Sequence, residues 1–149
     1  MNAKLKTITI ALSIAGALTL VACQSMEQGT GQKASATLES RSGSQAKGEV
    51  NFVWQGHDVL INGKFSGLKP NAEQGFHVHE KGDCSAPDAT SAAGHFNPET
   101  KAHGMPNSGM NHAGDMPNIK SDANGNATYS ATMHGFAVNT GPTGIVGRS

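Results

Sequence analysis

Several things are scarce in this sequence, and each scarcity narrows the fold. Aromatic residues are few, with one Trp, one Tyr and five Phe. No stretch holds a helical or heptad period for long, which argues against a helical bundle or a coiled coil. Neither sign of charge is in excess, since 11 basic residues face 11 acidic ones. No basic face therefore advertises nucleic-acid binding. Cysteine is limited to Cys23 and Cys84. There is no internal repeat, and 149 residues leave room for one domain. Glycine is frequent instead, at 19 residues, with 6 Pro. The balance favours an all-β or loop-rich fold.

The N-terminus carries the clearest local signal. Lys4 and Lys6 precede an uncharged apolar run from Thr7 to Leu20, and Leu20-Val21-Ala22-Cys23 follows. This is the layout of a secretory signal, too short for a spanning helix. The Leu-Val-Ala-Cys ending resembles a bacterial lipoprotein cleavage box. That implies a signal peptide over 1–22, cleavage before Cys23, a lipid on its thiol and anchorage to an envelope membrane on the periplasmic side. An ordinary cleaved signal with an incidental cysteine is the plainer alternative. Without the two leader lysines, nine basic residues face eleven acidic ones, a net of −2. An anionic substrate would then need a local positive site. Residues 23–33 are polar and read as a flexible tether, and the domain is expected over 34–149.

Strand signals follow. Ala36–Ser40 is a possible first strand. Val50, Phe52 and Trp54 share one face of a second. Val59, Ile61 and Phe65 mark a third, with Asn62-Gly63 a possible irregularity inside it. Gly75–Glu80 is expected as a fourth strand and Asp115–Lys120 as a short fifth. Asn124-Gly125 signals a hairpin into a strand over Ala127–Met133. Residues 81–114 show no period and few apolar side chains, so something other than a core must hold them.

Histidine supplies a candidate. On a strand, His77 and His79 point one way while Phe76 and Val78 point into the core. Two neighbouring imidazoles make half of a metal site suited to copper or zinc, although a solvent-facing polar pair would look the same. His95, His103, His112 and Asp115 follow at intervals of eight, nine and three. Three imidazoles and a carboxylate can close a tetrahedral zinc site, and such a site would fix a loop poor in apolar residues. Met105, Met110 and Met116 interleave with these residues. Thioethers favour copper(I), whereas loop filler packed against the domain is the plainer use for them.

The run Gly75-Phe76-His77-Val78-His79-Glu80, then Gly82-Asp83-Cys84, Gly94-His95-Phe96-Asn97-Pro98, His103-Gly104 and His112-Ala113-Gly114-Asp115-Met116-Pro117-Asn118 resembles the copper,zinc superoxide dismutases. The resemblance implies an all-β Greek-key barrel or sandwich. It implies copper on His77, His79 and His95, and zinc on His95, His103, His112 and Asp115. His95 would bridge the two ions and act in catalysis by taking up and returning a proton. The implied reaction turns two superoxide ions and two protons into oxygen and hydrogen peroxide by copper(II)/copper(I) cycling, protecting the cell envelope. Cys84 resembles the loop cysteine that pairs with a cysteine near the family's C-terminus.

The family pattern continues past the segment resembling Gly144–Ser149. About two strands, a fourth copper histidine, an active-site arginine and the partner of Cys84 have no counterpart here. His134 and His57 read as exposed loop residues, and Arg148 as distinct from that arginine. Little activity is expected of the chain as written. The other class of function left open is a non-catalytic copper- and zinc-binding envelope protein.

Overall fold

The computed structural model describes residues 31–149. The expectations for the signal peptide, Cys23 and most of the tether fall outside the described residues. Six strands account for the regular structure: β1 (Lys33–Leu38), β2 (Lys47–Trp54), β3 (Val59–Ser66), β4 (Glu73–His77), β5 (Asp115–Lys120) and β6 (Ala127–Met133). No α-helix occurs among the described residues. A single 3-10 turn covers Thr90–Ala92. The fold is all-β, as the composition indicated.

Alternation builds the larger sheet. Val50 and Phe52 of β2, and Val59, Ile61 and Phe65 of β3, are all buried, while their neighbours Asn51, Asn62 and Lys64 face water. Trp54, expected on the same face, is only half-buried at the strand end. The strands run antiparallel in the order β1-β2-β3-β6, and β4 pairs with β5 in a second antiparallel sheet. Thus β3 and β6 are neighbours although the chain visits the other sheet between them. Phe65, Phe76 and Tyr129 come from β3, β4 and β6 and meet edge to face, with ring centroids 5.2–6.3 Å apart. This is a favourable aromatic geometry, and it joins the two sheets.

Three strand expectations are corrected. The first strand lies over Lys33–Leu38, ahead of the expected Ala36–Ser40, because Gly31 and Gln32 already exchange backbone hydrogen bonds with Trp54 at 2.9 and 2.8 Å. Asn62-Gly63 causes no irregularity: β2 and β3 pair without a shift through Asn51–Asn62 and Val50–Gly63. Gly63 serves the ring of Phe65 instead. A Cβ there would come within 2.9 Å of that ring, and one on Gly48 within 2.5 Å. The fourth strand ends at His77, and His79 keeps only an isolated bridge to His95.

The Asn124-Gly125 turn forms, with Gly125 at φ +75° and Asp122 Oδ1 accepting the Asn124 and Asn126 N–H groups. It is not a hairpin, because the strands on either side belong to different sheets. The turn is claimed by the β3–β4 connection. Leu68 N–H donates to the Gly125 carbonyl at 3.0 Å, and Asn71 N–H to that of Asp122 at 2.9 Å. A register shift in the β4–β5 pair falls between Gln74 and Phe76, opposite Pro117 and Asn118. Pro117 has no N–H to give a ladder, so a bulge is the natural place for it.

Candidate metal centre

Three backbone hydrogen bonds bring the histidines together. Val78 N–H donates to Gly114, Gly114 N–H to Phe96, and Phe96 N–H to Val78, at 2.9, 2.8 and 2.8 Å. This closed triangle replaces the sheet ladder beyond β4. Phe96 and Val78 are buried beneath it, which turns His77, His79 and His95 toward the other side. Gly114 must be glycine here, since a Cβ would meet the Val78 carbonyl oxygen at 2.3 Å. The next residue is Asp115, 1% exposed and the only acidic residue in the buried interior of the described chain.

Asp115 organises half of the site. Its Oδ1 faces Nδ1 of His95, His103 and His112 at 2.9, 3.1 and 3.4 Å. Nδ1 of His112 and Nδ1 of His95 are 3.5 Å apart. A tetrahedral zinc with bonds of about 2.0–2.1 Å separates its ligand atoms by roughly 3.3 Å. The four donor atoms all lie within 4.8 Å of one another. Oδ2 is already occupied, accepting the His112 N–H at 3.0 Å and the Gly104 N–H at 3.4 Å. Oδ1 is thus the atom left for a metal. Burial works to raise the Asp115 pKa. The His95 hydrogen bond, the Gly104 and His112 amides and the His103 charge outweigh it, so the carboxyl sits below its ordinary value. An ionised carboxylate with three imidazole nitrogens is a donor set that fits zinc.

The second half is adjacent. The His77 ring stacks on that of His95 with centroids 3.9 Å apart, and His79 meets His95 edge-on at 5.3 Å. His79 Nδ1 lies 2.9 Å from the Ala93 carbonyl, so its Nε2 is the nitrogen left for a ligand bond. With Nδ1 of His95 turned to Asp115, its Nε2 is likewise the nitrogen left for a second ion. Burial, and then the charge of His95, lower the His77 pKa, which favours the neutral form that binds metal. His77 and His79 do not join the converged set of four. They flank His95, and three imidazoles are a donor set that fits copper.

Sequence reasoning missed three supporting residues. Ala93, at φ +63°, aims its carbonyl at His79. Gly75 leaves room for the His77 ring, which a Cβ would approach to 2.7 Å at Cε1. Asn111, itself buried, donates to the His112 carbonyl at 2.7 Å. The first two could have been found only from backbone angles and close approaches. The other singled-out residues lie elsewhere. His57 is exposed. His134 is also exposed but contacts Asp58, its Nδ1 2.5 Å from the carboxylate. Cys84 is exposed and free. Arg148 stacks over Phe96 at 3.8 Å and donates to the Gly144 and Glu80 carbonyls, which occupies its guanidinium in holding the loop.

The family model for copper/zinc superoxide dismutase matches residues 46–149. The chain belongs to the copper/zinc superoxide dismutase family. It is 52% identical over 84 residues to a Cu-Zn superoxide dismutase of Paramecium bursaria Chlorella virus 1, covering 56% of this chain and 44% of that one. It is 42% identical over 113 residues to Cu-Zn superoxide dismutase 2 of Aquifex aeolicus, covering 76% of this chain and 64% of that one. With the Saccharomyces cerevisiae Cu-Zn superoxide dismutase it shares 38% identity over 117 residues, at 78% and 75% coverage. The chain thus spans about half to two-thirds of the length of the first two relatives. Among solved structures, the crystal structure of the clock protein EA4 superposes with a TM-score of 0.71 at 38% identity. It covers 80% of this chain and 73% of that one.

Proposed function

We propose that this chain carries the metal centre of a superoxide dismutase. In this reading zinc is held by His95, His103, His112 and Asp115, copper by His77, His79 and His95, and His95 is shared. The observation that carries the reading is the convergence of three Nδ1 atoms on one oxygen of buried Asp115, beside the stacked His77 and His95 rings. Bound copper would supply the one-electron change between two superoxide ions, and zinc a fixed positive charge on the shared ring. The chain's own residues do the rest. Asp115 orients the three rings, and the Ala93 carbonyl orients His79. Whenever it is free of the metal, His95 Nε2 would hold a proton and pass it to the reduced substrate, which leaves as hydrogen peroxide. The family relatives, all named superoxide dismutases, favour this reading over a purely metal-binding role.

The proposal extends to the cell. The leader supports export to a bacterial periplasm, with a lipid on Cys23 holding the protein to an envelope membrane. Mass spectrometry of the membrane-extracted protein tests this, since an unmodified N-terminus at Cys23 contradicts it.

The catalytic proposal is tested with His95→Ala in the copper- and zinc-loaded protein. Superoxide decay after pulse radiolysis should be faster with the parent than with the variant. The copper absorption of the parent should also respond to zinc removal, and that of the variant should not. A parent copper absorption that ignores zinc removal, or decay in the variant as fast as that of a measurably active parent, overturns the proposal.

A further inference from the structure

We infer that Met105 and Met110 form a surface copper(I)-binding site, distinct from the His77, His79 and His95 set and independent of the catalytic reading. The methionines of this region divide sharply. Met116 is 3% exposed and fills the core, whereas Met105 and Met110 are 78% and 70% exposed. They are two of only three large hydrophobic side chains left in water among the described residues. Filler against the barrel wall therefore describes Met116 alone. Both thioethers are open to solvent and accessible to a soft cation.

The backbone brings the pair together. Met105–Ser108 is a tight turn with Pro106 and then Asn107 at φ +61°, closed by the Ser108 N–H on the Met105 carbonyl at 3.2 Å. That is the residue order a type II turn asks for. Gly109, at φ +79°, reverses the chain again, and the Ser108 hydroxyl accepts the Met110 N–H at 3.2 Å. The two ends of this small loop then touch. A Cβ on Gly104 would stand 2.5 Å from the Met110 carbonyl oxygen. Met105 thus leaves the chain one residue beyond a direct contact with the Met110 backbone.

The loop is also pinned to the sheet. Asn107 Nδ2 donates to Thr132 of β6 at 3.0 Å, and Asn107 Oδ1 accepts the His134 N–H at 3.2 Å. Two soft sulfur donors on an anchored loop select copper(I) over zinc, calcium or magnesium. His103 lies next to Gly104, but its Nδ1 is directed at Asp115, so the sulfur site stands beside the zinc half and shares no donor with it. A set of two thioethers holds the ion loosely. That suits a position where copper(I) arrives from, or passes to, another carrier.

The test uses the full chain loaded with zinc and with one equivalent of copper on the histidine set, then titrated anaerobically with further copper(I) against a chromophoric chelator. The variant is Met105→Leu/Met110→Leu, which keeps the apolar bulk and removes both sulfurs. The parent should hold about one equivalent of copper(I) that the variant binds at least about tenfold more weakly. In methyl NMR the Met105 and Met110 signals should move with the added ion, while that of Met116 stays. Unchanged copper(I) affinity in the variant, or stationary Met105 and Met110 methyls, overturns the inference. Superoxide decay in the pre-loaded variant should match the parent. The two readings fail separately: the leucine pair reports on this site, and His95→Ala on the catalytic one.

Discussion

The four-stranded sheet and residues 81–114 hold their shapes by opposite means. In the sheet, Val50, Val59, Ile61 and Met133 are at most 1% exposed, and the backbone is paired from end to end. Residues 81–114 bury only Ala92 and Phe96 among hydrophobic side chains. Four non-glycine residues there, Ala89, Ala93, Thr100 and Asn107, have positive φ. What replaces a core is a carboxylate: Asp115 faces three imidazoles and accepts two backbone N–H groups. The sheet is fixed by non-directional burial, which tolerates exchange of one apolar residue for another. The loop is fixed by directional contacts to one side chain. It should therefore fail at single residues and respond to metal.

Asp115→Ala should give the largest effect and break the comparison most directly. It removes the shared oxygen and frees the Gly104 and His112 amides together. Zinc affinity should fall by more than about a hundredfold, since loss of a direct ligand exceeds the loss of an outer-shell partner. Amide exchange should separate the two regions, with protection falling over 94–115 and persisting in β2 and β3. Zinc binding at parental strength, or loss of protection in both regions alike, would show that the loop does not hang on this residue.

Ala93→Gly works in the opposite direction. Ala93 sits at φ 63°, ψ −153°, a conformation that suits glycine far better than alanine. The strain keeps its carbonyl on His79 Nδ1 and its N–H on the Thr90 carbonyl at 3.2 Å. Replacement by glycine should stabilise the metal-free protein by about 1 kcal/mol, after allowing for the freer unfolded chain. Copper affinity should be unchanged because the carbonyl remains. A urea midpoint that falls would mean that the loop is relaxed at Ala93 and that the contrast with the sheet is overdrawn.

The same contrast explains what the sequence disclosed. Alternation and the histidine spacings were legible because both are local. Val50 with Phe52 and Val59 with Ile61 follow from the period of a strand, and His77 with His79 from the same alternation carried just past the end of β4. The order His95, His103, His112, Asp115 could be read as one donor set before any geometry was known, and the four do converge. Features that depend on distant partners were not legible. Asn124-Gly125 carries every mark of a hairpin, but its strands separate because Leu68 and Asn71 bind the turn. Asn62-Gly63 resembles an interruption until the Phe65 ring is seen to need the space at Gly63. No local pattern announces the triangle of Val78, Phe96 and Gly114, because its three members are separated by long loop segments.

The smallest expected effect belongs to the sheet and sharpens the comparison from that side. Tyr129 is the polar exception in the wall's interior: its hydroxyl donates to the Pro117 carbonyl at 3.0 Å, tying β6 to the second sheet. Burial pushes its pKa up from 10.0 to about 12. Between these values the unfolded chain loses the phenolic proton while the folded chain keeps it. The native state then binds more protons, and stability falls as pH rises through this window, levelling above it. Tyr129→Phe should cost about 1 kcal/mol at neutral pH through the lost hydrogen bond. It should also flatten the alkaline decline, so the two proteins converge in urea midpoint as pH rises. Zinc affinity should not move, because the change lies in the sheet and not in the polar loop. An alkaline decline of equal size in the variant would assign it to other groups, and a shift in zinc affinity would mean that wall and loop share more of their stability than their separate chemistries imply.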